Sequence, residues 1–250
     1  TAILNSSFSN REVLLKNIAI EPEVIDLIKF LNESGSNIRF VSKRSIIIKG
    51  VKKLKGIKYK IMPDRIEAGT YIIASAITNS SLTLNNLFID HIKNIIHVLK
   101  KIGLKFKNLS STSIRVLPGK LKPLKIGTAP YPDFPTDMQA QLMSLLTLTE
   151  GHSEIKEDIF ENRFLHVLEL QRMGANIEIK NNTAKIIGEK KLSGAQVMAT
   201  DLRASVCLVL AGLVAKGKTV INRVYHLERG YEDLVKKLKK CGAKIKIINA

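Results

Sequence analysis

Tryptophan is missing from the 250 residues, and aromatic side chains make up only 5% of them. Surfaces that hold single-stranded nucleic acid stack bases on aromatic rings, so this scarcity weakens the nucleic-acid reading that a net charge of +18 invites. Cysteine is almost absent as well. Cys207 lies in an apolar run and Cys241 near a helix end, and two such residues do not make a disulfide framework; both read as reduced thiols used as small apolar side chains. The longest apolar run, Val206–Ala215 with one glycine, is far too short to span a bilayer. No signal-peptide pattern opens the chain, and no metal-ligand cluster is read from it. A starting methionine is lacking too: the opening TAILNSSF reads like the middle of a helix, and the chain is expected to be a fragment or a processed product.

The sequence is rich in apolar residues, at 45%, enough for a sizeable core in one large or two smaller domains. Of the 40 basic residues, 10 are Arg and 30 are Lys, spread along the chain in runs such as KKLKG and KKLKK that belong on solvated faces. Lys, Ile and Asn are abundant together, which suggests compositional drift. The resulting positive field would still draw small anionic substrates.

Four segments share one ending: FLNESGSNIRF, VLKKIGLKFK, ELQRMGANIEI and KLKKCGAKIKI. Each reads as an amphipathic helix, a glycine and an alternating strand. The glycines, Gly35, Gly103, Gly174 and Gly242, recur at intervals of 68, 71 and 68 residues, and a glycine just past a helix supplies the left-handed residue that ends it. A second landmark recurs in PDRIEAGTYIIASAI, PTDMQAQLMSLL and ATDLRASVCLVLAGLVA, where Asp64, Asp137 and Asp201 stand at helix starts. Thr136 with Gln139 fits a capping box, and Asp64 with Glu67 its acid-capped relative. Helices after these acids are apolar on nearly every side and belong inside a domain; those before the glycines, such as Asp90–Lys101 and Gly230–Lys240, carry a charged face and belong outside. SIIIKG, SIRVLPG and AKIIGE read as closing strands. The predicted fold is α/β: repeated helix–strand–helix–strand–strand units, a further strand leading into each next unit, with central apolar helices wrapped by sheets and outer helices. No glycine-rich strand–turn–helix fingerprint supports a doubly wound dinucleotide-binding sheet.

Units packed about a common axis would bring their helix mouths together. Arg65, Arg163, Arg203 and Arg229 lie near such starts, where a cation is the wrong sign for the helix dipole. Each could simply pair with a neighbouring acid, and Asp137 could be no more than a first-turn acid. Together they suggest a receptor for phosphate and carboxylate groups, since the guanidinium fork and helix N–H groups act jointly.

The strings TAPYPDFPTDMQAQ, FENRFLHVLELQRMGA, LSGAQVMATDLRAS and YHLERGYE closely resemble the UDP-N-acetylglucosamine enolpyruvyl transferases, and IEPEVIDLIKFL and MPDRIEAGTY extend the resemblance through the whole chain. The resemblance implies two inside-out α/β barrels with the active site between them. Residues 1–62 would be the last repeat of the first domain, and residues 63–250 most of the second, which the family completes with a short N-terminal segment. It implies transfer of enolpyruvyl from phosphoenolpyruvate to the 3′-hydroxyl of UDP-N-acetylglucosamine with release of phosphate, the first committed step of peptidoglycan synthesis. The setting would be the cytoplasm, with no metal or organic cofactor and no membrane or nucleic-acid partner, and the protein would be a monomer. Carried over by position, Asp137 would meet the sugar hydroxyl and serve as base, and Ile159 would contact the nucleotide sugar. Arg203 and Arg229 would bind phosphoenolpyruvate, Arg163 and Asp201 would line the cleft, and Arg65 would sit at an interdomain position. The family's Lys-Asn pair and its mobile loop bearing a Cys or Asp and an Arg precede the position matching Thr1. The 250 residues alone are therefore expected to be inactive. Competing expectations are a sister enzyme acting on shikimate 3-phosphate, a fold relative of RNA 3′-terminal phosphate cyclase, which would need a nucleotidyl-accepting His although His226 and His166 sit in strings the resemblance already explains, and a basic, non-catalytic nucleic-acid-binding remnant.

Overall fold

Gly35, Gly103, Gly174 and Gly242 all adopt left-handed backbone angles, with φ of 99°, 114°, 91° and 95°. They mark the same corner in four copies of one unit. The structure, a computed structural model, describes residues 1–189 and 191–248. It divides into two compact units: Thr1–Pro63 with Pro130–Pro132, and Asp64–Ala129 with Asp133–Ala250.

The first unit holds helix α1 (Ala2–Ser6), strand β1 (Glu12–Lys16), helix α2 (Pro22–Glu33) and strands β2 (Asn37–Ser42) and β3 (Ser45–Lys49). Its antiparallel sheet runs β1-β3-β2. The alternation in SIIIK places Ile46 and Ile48 inward against Ile28 and Leu31 of α2. Asn32, three residues before Gly35, brackets the turn: its amide donates to the Ile38 carbonyl at 2.8 Å and its oxygen accepts from the Ile38 N–H at 2.9 Å.

The second unit repeats this arrangement. It contains α3 (Arg65–Ile77), β4 (Leu82–Asn85), α4 (Lys93–Ile102), β5 (Lys105–Ser110), β6 (Ser113–Leu117) and β7 (Lys125–Gly127). A second round follows with α5 (Gln139–Leu146), β8 (Gly151–Lys156), α6 (His166–Arg172), β9 (Asn176–Lys180), β10 (Thr183–Gly188) and β11 (Gln196–Met198). The third round has α7 (Leu202–Gly212), β12 (Val220–Asn222) and α8 (Leu234–Lys240). Strand orders β4-β6-β5 and β8-β10-β9 copy the first unit's sheet, and each extra strand pairs parallel with the next round's first strand, β7 with β8 and β11 with β12. Gln171 bonds the Ile177 carbonyl at 2.7 Å, as Asn32 bonds Ile38.

Helices α3, α5 and α7 pack on one another at the centre. All eight residues of α5 are buried, as are Ala204–Ala211 of α7; a fully buried Leu or Ile contributes roughly 1.5–3 kcal/mol. The hydroxyls on α5 and just past its end turn back to carbonyls within the same stretch: Ser144 to Gln141, Thr147 to Ser144 and Thr149 to Leu145. Polar side chains thus enter the core without orphaning a hydroxyl. The outer helix α4 buries Ile95, Ile96, Val98, Leu99 and Ile102 and leaves its lysines outside. Cys207 is buried, and burial pushes its thiol up; Cys241 is exposed and free. Among the described residues no helix is long and apolar enough to cross a membrane, and no His/Cys/Asp/Glu group could hold a metal ion.

Several expected boundaries move. The helix expected over Asp90–Lys101 opens as a 3₁₀ turn, Ile89–Ile92, before α4 begins. The helix expected from Gly230 starts at Leu234, because Val224–Arg229 coil into a 3₁₀ turn and Asp233 takes a left-handed φ of 51°. Among the described residues the alternating stretch after Gly242 forms no strand, whereas β2, β5 and β9 each pair with the strand that follows them. The Thr136–Gln139 capping box is not made either. Asp137 lies in a 3₁₀ turn, Thr136–Met138, and Thr136 spends its hydroxyl elsewhere.

Candidate active site

Asp64 and Asp201 begin α3 and α7 as caps: each carboxylate accepts two backbone N–H groups, from Ile66 and Glu67 and from Arg203 and Ala204 respectively. Glu67 turns to Lys237 of α8 at 2.8 Å instead of closing its box. Asp137, at the third mouth, caps nothing. The 3₁₀ turn lifts its carboxylate off the helix end, and the side chain bridges two guanidiniums. Arg163 Nη2 donates to Oδ1 at 2.7 Å, and Arg203 Nη2 donates to Oδ2 at 2.8 Å. Arg203 stands in the first turn of α7, one residue beyond the Asp201-capped start. Arg163 comes from the turn before α6, its guanidinium 4.9 Å from the centre of the Phe160 ring.

The electrostatics follow from this geometry. Burial alone would push the Asp137 carboxyl up, but the hydrogen bonds and charges of Arg203 and Arg163 outweigh it and hold the group below the usual carboxylate range. Burial likewise opposes charge on Arg203, and the bonds to Asp137 and to the Tyr231 hydroxyl more than restore it. Tyr231 is 3% exposed and joins three elements behind Arg203: its hydroxyl lies 2.9 Å from Thr70 Oγ1 of α3 and 3.3 Å from Gln141 Nε2 of α5. Burial pushes that phenol up, while Thr70, Arg203 and Gln141 pull it down by less.

Below the bridge, the parallel pair β7 and β8 ends in Thr128 and Glu157. Glu157 is 3% exposed and accepts from Thr128 Oγ1 and Thr136 Oγ1 at 2.9 Å, and from the Ile159 and Phe160 N–H groups at 2.9 and 3.1 Å. Ile159 therefore sits on a tight turn, 37% exposed.

The geometry unites Asp137, Arg163 and Arg203, with Asp201 holding the helix that presents Arg203. Arg65 is 8% exposed at the start of α3. Arg229 is not part of the bridge: it is exposed at the end of its 3₁₀ turn and pairs with no acid among the described residues. His166 is 2% exposed, and burial pushes its imidazole down to about 4, a poor setting for a group meant to accept a nucleotide. Tyr231, Thr70, Gln141 and Glu157 escape the sequence reading. Glu157 carried one faint signal, an acid closing the strand that leads into DIFENRF; a tyrosine in YHLERGYE carried none.

Solved structures share this architecture. An enolpyruvyl transferase, NikO from Streptomyces tendae, superposes with a TM-score of 0.89 at 27% identity, covering 98% of this chain and 59% of that one. An EPSP synthase from Acinetobacter baumannii superposes at 0.75, and at 16% identity it speaks for the fold alone. Central apolar helices inside three-stranded sheets, with a carboxylate and arginines at their mouths, define a chain of the enolpyruvyl transferase fold. Residues 1–238 match the profile of the EPSP synthase (3-phosphoshikimate 1-carboxyvinyltransferase) family, and the chain belongs to that family. Among curated relatives, the UDP-N-acetylglucosamine 1-carboxyvinyltransferase of Pelagibacter ubique is 52% identical over 247 residues, and that of Orientia tsutsugamushi (strain Ikeda) is 50% identical over 250. The chain spans 59% of the length of each.

Proposed function

We propose that this chain is the C-terminal part of a UDP-N-acetylglucosamine enolpyruvyl transferase. Residues 1–62 are the end of its first domain and residues 63–250 most of its second. The complete protein moves enolpyruvyl from phosphoenolpyruvate to the 3′-hydroxyl of the nucleotide sugar in the cytoplasm and releases phosphate. The observation that carries this reading is Asp137, bridged between Arg163 and Arg203, in a chain half identical over nearly its whole length to enzymes of that name. The profile match names a shikimate enzyme, but identity near 50% runs to nucleotide-sugar enzymes and falls to 16% for the EPSP synthase superposed above. Nucleotide sugar is therefore the preferred acceptor.

In this reading the ion bridge is the resting state. A carboxylate held below its usual range is a weak base, and base catalysis is best when the pKa lies nearer the working pH. The phosphate and carboxylate of phosphoenolpyruvate are strong bidentate ligands for guanidinium. As Arg203 turns to them, Asp137 loses its strongest counter-charge and gains basicity beside the sugar hydroxyl. The same arginines then stabilise the charge that accumulates as phosphate departs. Asp201 keeps the α7 mouth formed, Ile159 faces the sugar, and Arg229 completes the anion grip.

The test is phosphate release by the complete protein with phosphoenolpyruvate and either UDP-N-acetylglucosamine or shikimate 3-phosphate. Turnover with the nucleotide sugar, and its fall by about 10²–10⁴-fold in Asp137→Asn, is expected. Turnover with shikimate 3-phosphate alone would reassign the acceptor. The 250 residues by themselves should release none.

A further inference from the structure

We infer that Glu157 is the positioning residue of the site, a buried acceptor that fixes the base-bearing turn and the sugar-facing turn to each other. This rests on the enolpyruvyl-transfer reading above. Glu157 contacts no cation among the described residues, and all four of its partners are donors. A buried carboxylate so placed would be costly without them, and with them it becomes a rigid hub. Two of its donors belong to turns that carry the site. Thr136 is the neighbour of Asp137, and the Phe160 N–H belongs to the residue whose ring lies against Arg163.

These contacts close a circuit: Glu157 to Thr136, along the chain to Asp137, across the ion pair to Arg163, over the Phe160 ring and back through the Phe160 N–H to Glu157. Ile159 hangs on the same oxygen as Phe160. The foundation is stiff as well. Thr128 and Glu157 follow directly on the β7–β8 pairing of Gly127 with Lys156, and Thr128 Oγ1 also accepts the Asp158 N–H at 3.1 Å. Loops that carry reacting groups need such support, because a misplacement of about 1 Å costs about 10²-fold in rate.

The experiment uses the complete protein with Glu157→Ala, Glu157→Gln and Thr136→Val, read by steady-state kinetics with UDP-N-acetylglucosamine and by carboxyl NMR titration of Asp137. Glu157→Ala should lower kcat/KM for the nucleotide sugar by about 10²-fold and raise the Asp137 midpoint as the circuit opens. Glu157→Gln should recover most of both: its oxygen can accept the two N–H groups, and its NH₂ can donate to a reoriented Thr136 hydroxyl. Thr136→Val cuts only the Asp137 arm and should lower kcat while leaving KM for the sugar near the parent value. A Glu157→Ala protein with parental kinetics and an unmoved Asp137 midpoint overturns the inference, as does a Glu157→Gln protein no better than Glu157→Ala. Should Glu157→Ala not fold, Thr136→Val decides, and parental kcat there is fatal. If the parent protein turns over neither acceptor, the enolpyruvyl reading fails on its own, and the Asp137 midpoints still judge Glu157.

Discussion

Arg203 and Asp137 stand 66 residues apart in sequence and 2.8 Å apart in space, the guanidinium of one apolar helix reaching the turn that precedes another. Arg163 closes on the opposite carboxylate oxygen at 2.7 Å. The two cations together keep Asp137 charged against its burial. Replacing either arginine by Gln should therefore raise the Asp137 pKa toward the ordinary value of about 3.9. Burial is the leading opposing influence, so losing both cations should carry it above that value. Carboxyl NMR titration of the complete protein reads this directly, and a midpoint that stays put in both variants would show the bridge to be absent in solution. Because the folded group sits below its unfolded value, the stability it contributes is present above the unfolded pKa and is lost as pH falls through the folded one.

Arg229 makes the opposite prediction. It is exposed and pairs with no acid among the described residues, so the described fold does not depend on it. Arg229→Gln should leave the melting temperature within the range of ordinary surface changes, about 0.5 kcal/mol. If its guanidinium receives phosphoenolpyruvate, KM for that substrate should rise by about 10-fold or more, since hydrogen bonds to charged groups contribute about 1.5–3 kcal/mol. Unchanged kinetics in a folded Arg229→Gln protein would remove it from the anion grip.

The repeat could be read from the sequence because its punctuation is local. A left-handed residue after each outer helix favours glycine whatever surrounds it, and the unbroken apolar stretches of α5 and α7 can be satisfied only inside a core. Asp64 and Asp201 cap as their positions suggest. Asp137 shares the spelling and differs in role, because Pro135 and a 3₁₀ turn displace it from the helix end and two distant arginines then claim it. Long-range partners leave no local mark. The Tyr231–Thr70 contact spans 161 residues, and Thr128 and Thr136 reach Glu157 from 29 and 21 residues away, so only folding places them together.

Tyr231 should matter for both stability and the arginine it backs. Its hydroxyl is shared by Thr70, Gln141 and Arg203 among largely buried side chains. Tyr231→Phe keeps the ring packed against Val206, Leu234 and Leu238 but leaves the Gln141 amide without that acceptor. The Gln141 amide keeps the Thr70 hydroxyl at 3.3 Å, and a buried hydrogen bond contributes about 0.5–1.5 kcal/mol net, so urea denaturation should reveal a loss of that size. Arg203, freed on one side, should bind phosphoenolpyruvate less well. A Tyr231→Phe protein as stable as the parent would mean that the three groups do not depend on this hydroxyl.

His166 gives the clearest dependence on pH. It lies beneath Arg163, bonded to that residue's backbone, and burial drives its pKa down to about 4 while the nearby Asp201 charge opposes this only in part. The unfolded chain would protonate it near 6.5. Between those two values the unfolded state binds the extra proton, so stability is full above about 6.5 and falls as pH drops toward 4, by an amount of order 3 kcal/mol. His166→Gln keeps an N–H for the Arg163 backbone but cannot titrate. Its stability should decline less than the parent's between pH 7.5 and 4.5, and the difference between the two urea curves isolates the imidazole from the carboxylates that titrate in both. An imidazole NMR midpoint near 6.5 in the folded parent, with parallel stability curves, would show that His166 is hydrated and that the floor beneath Arg163 is open to water.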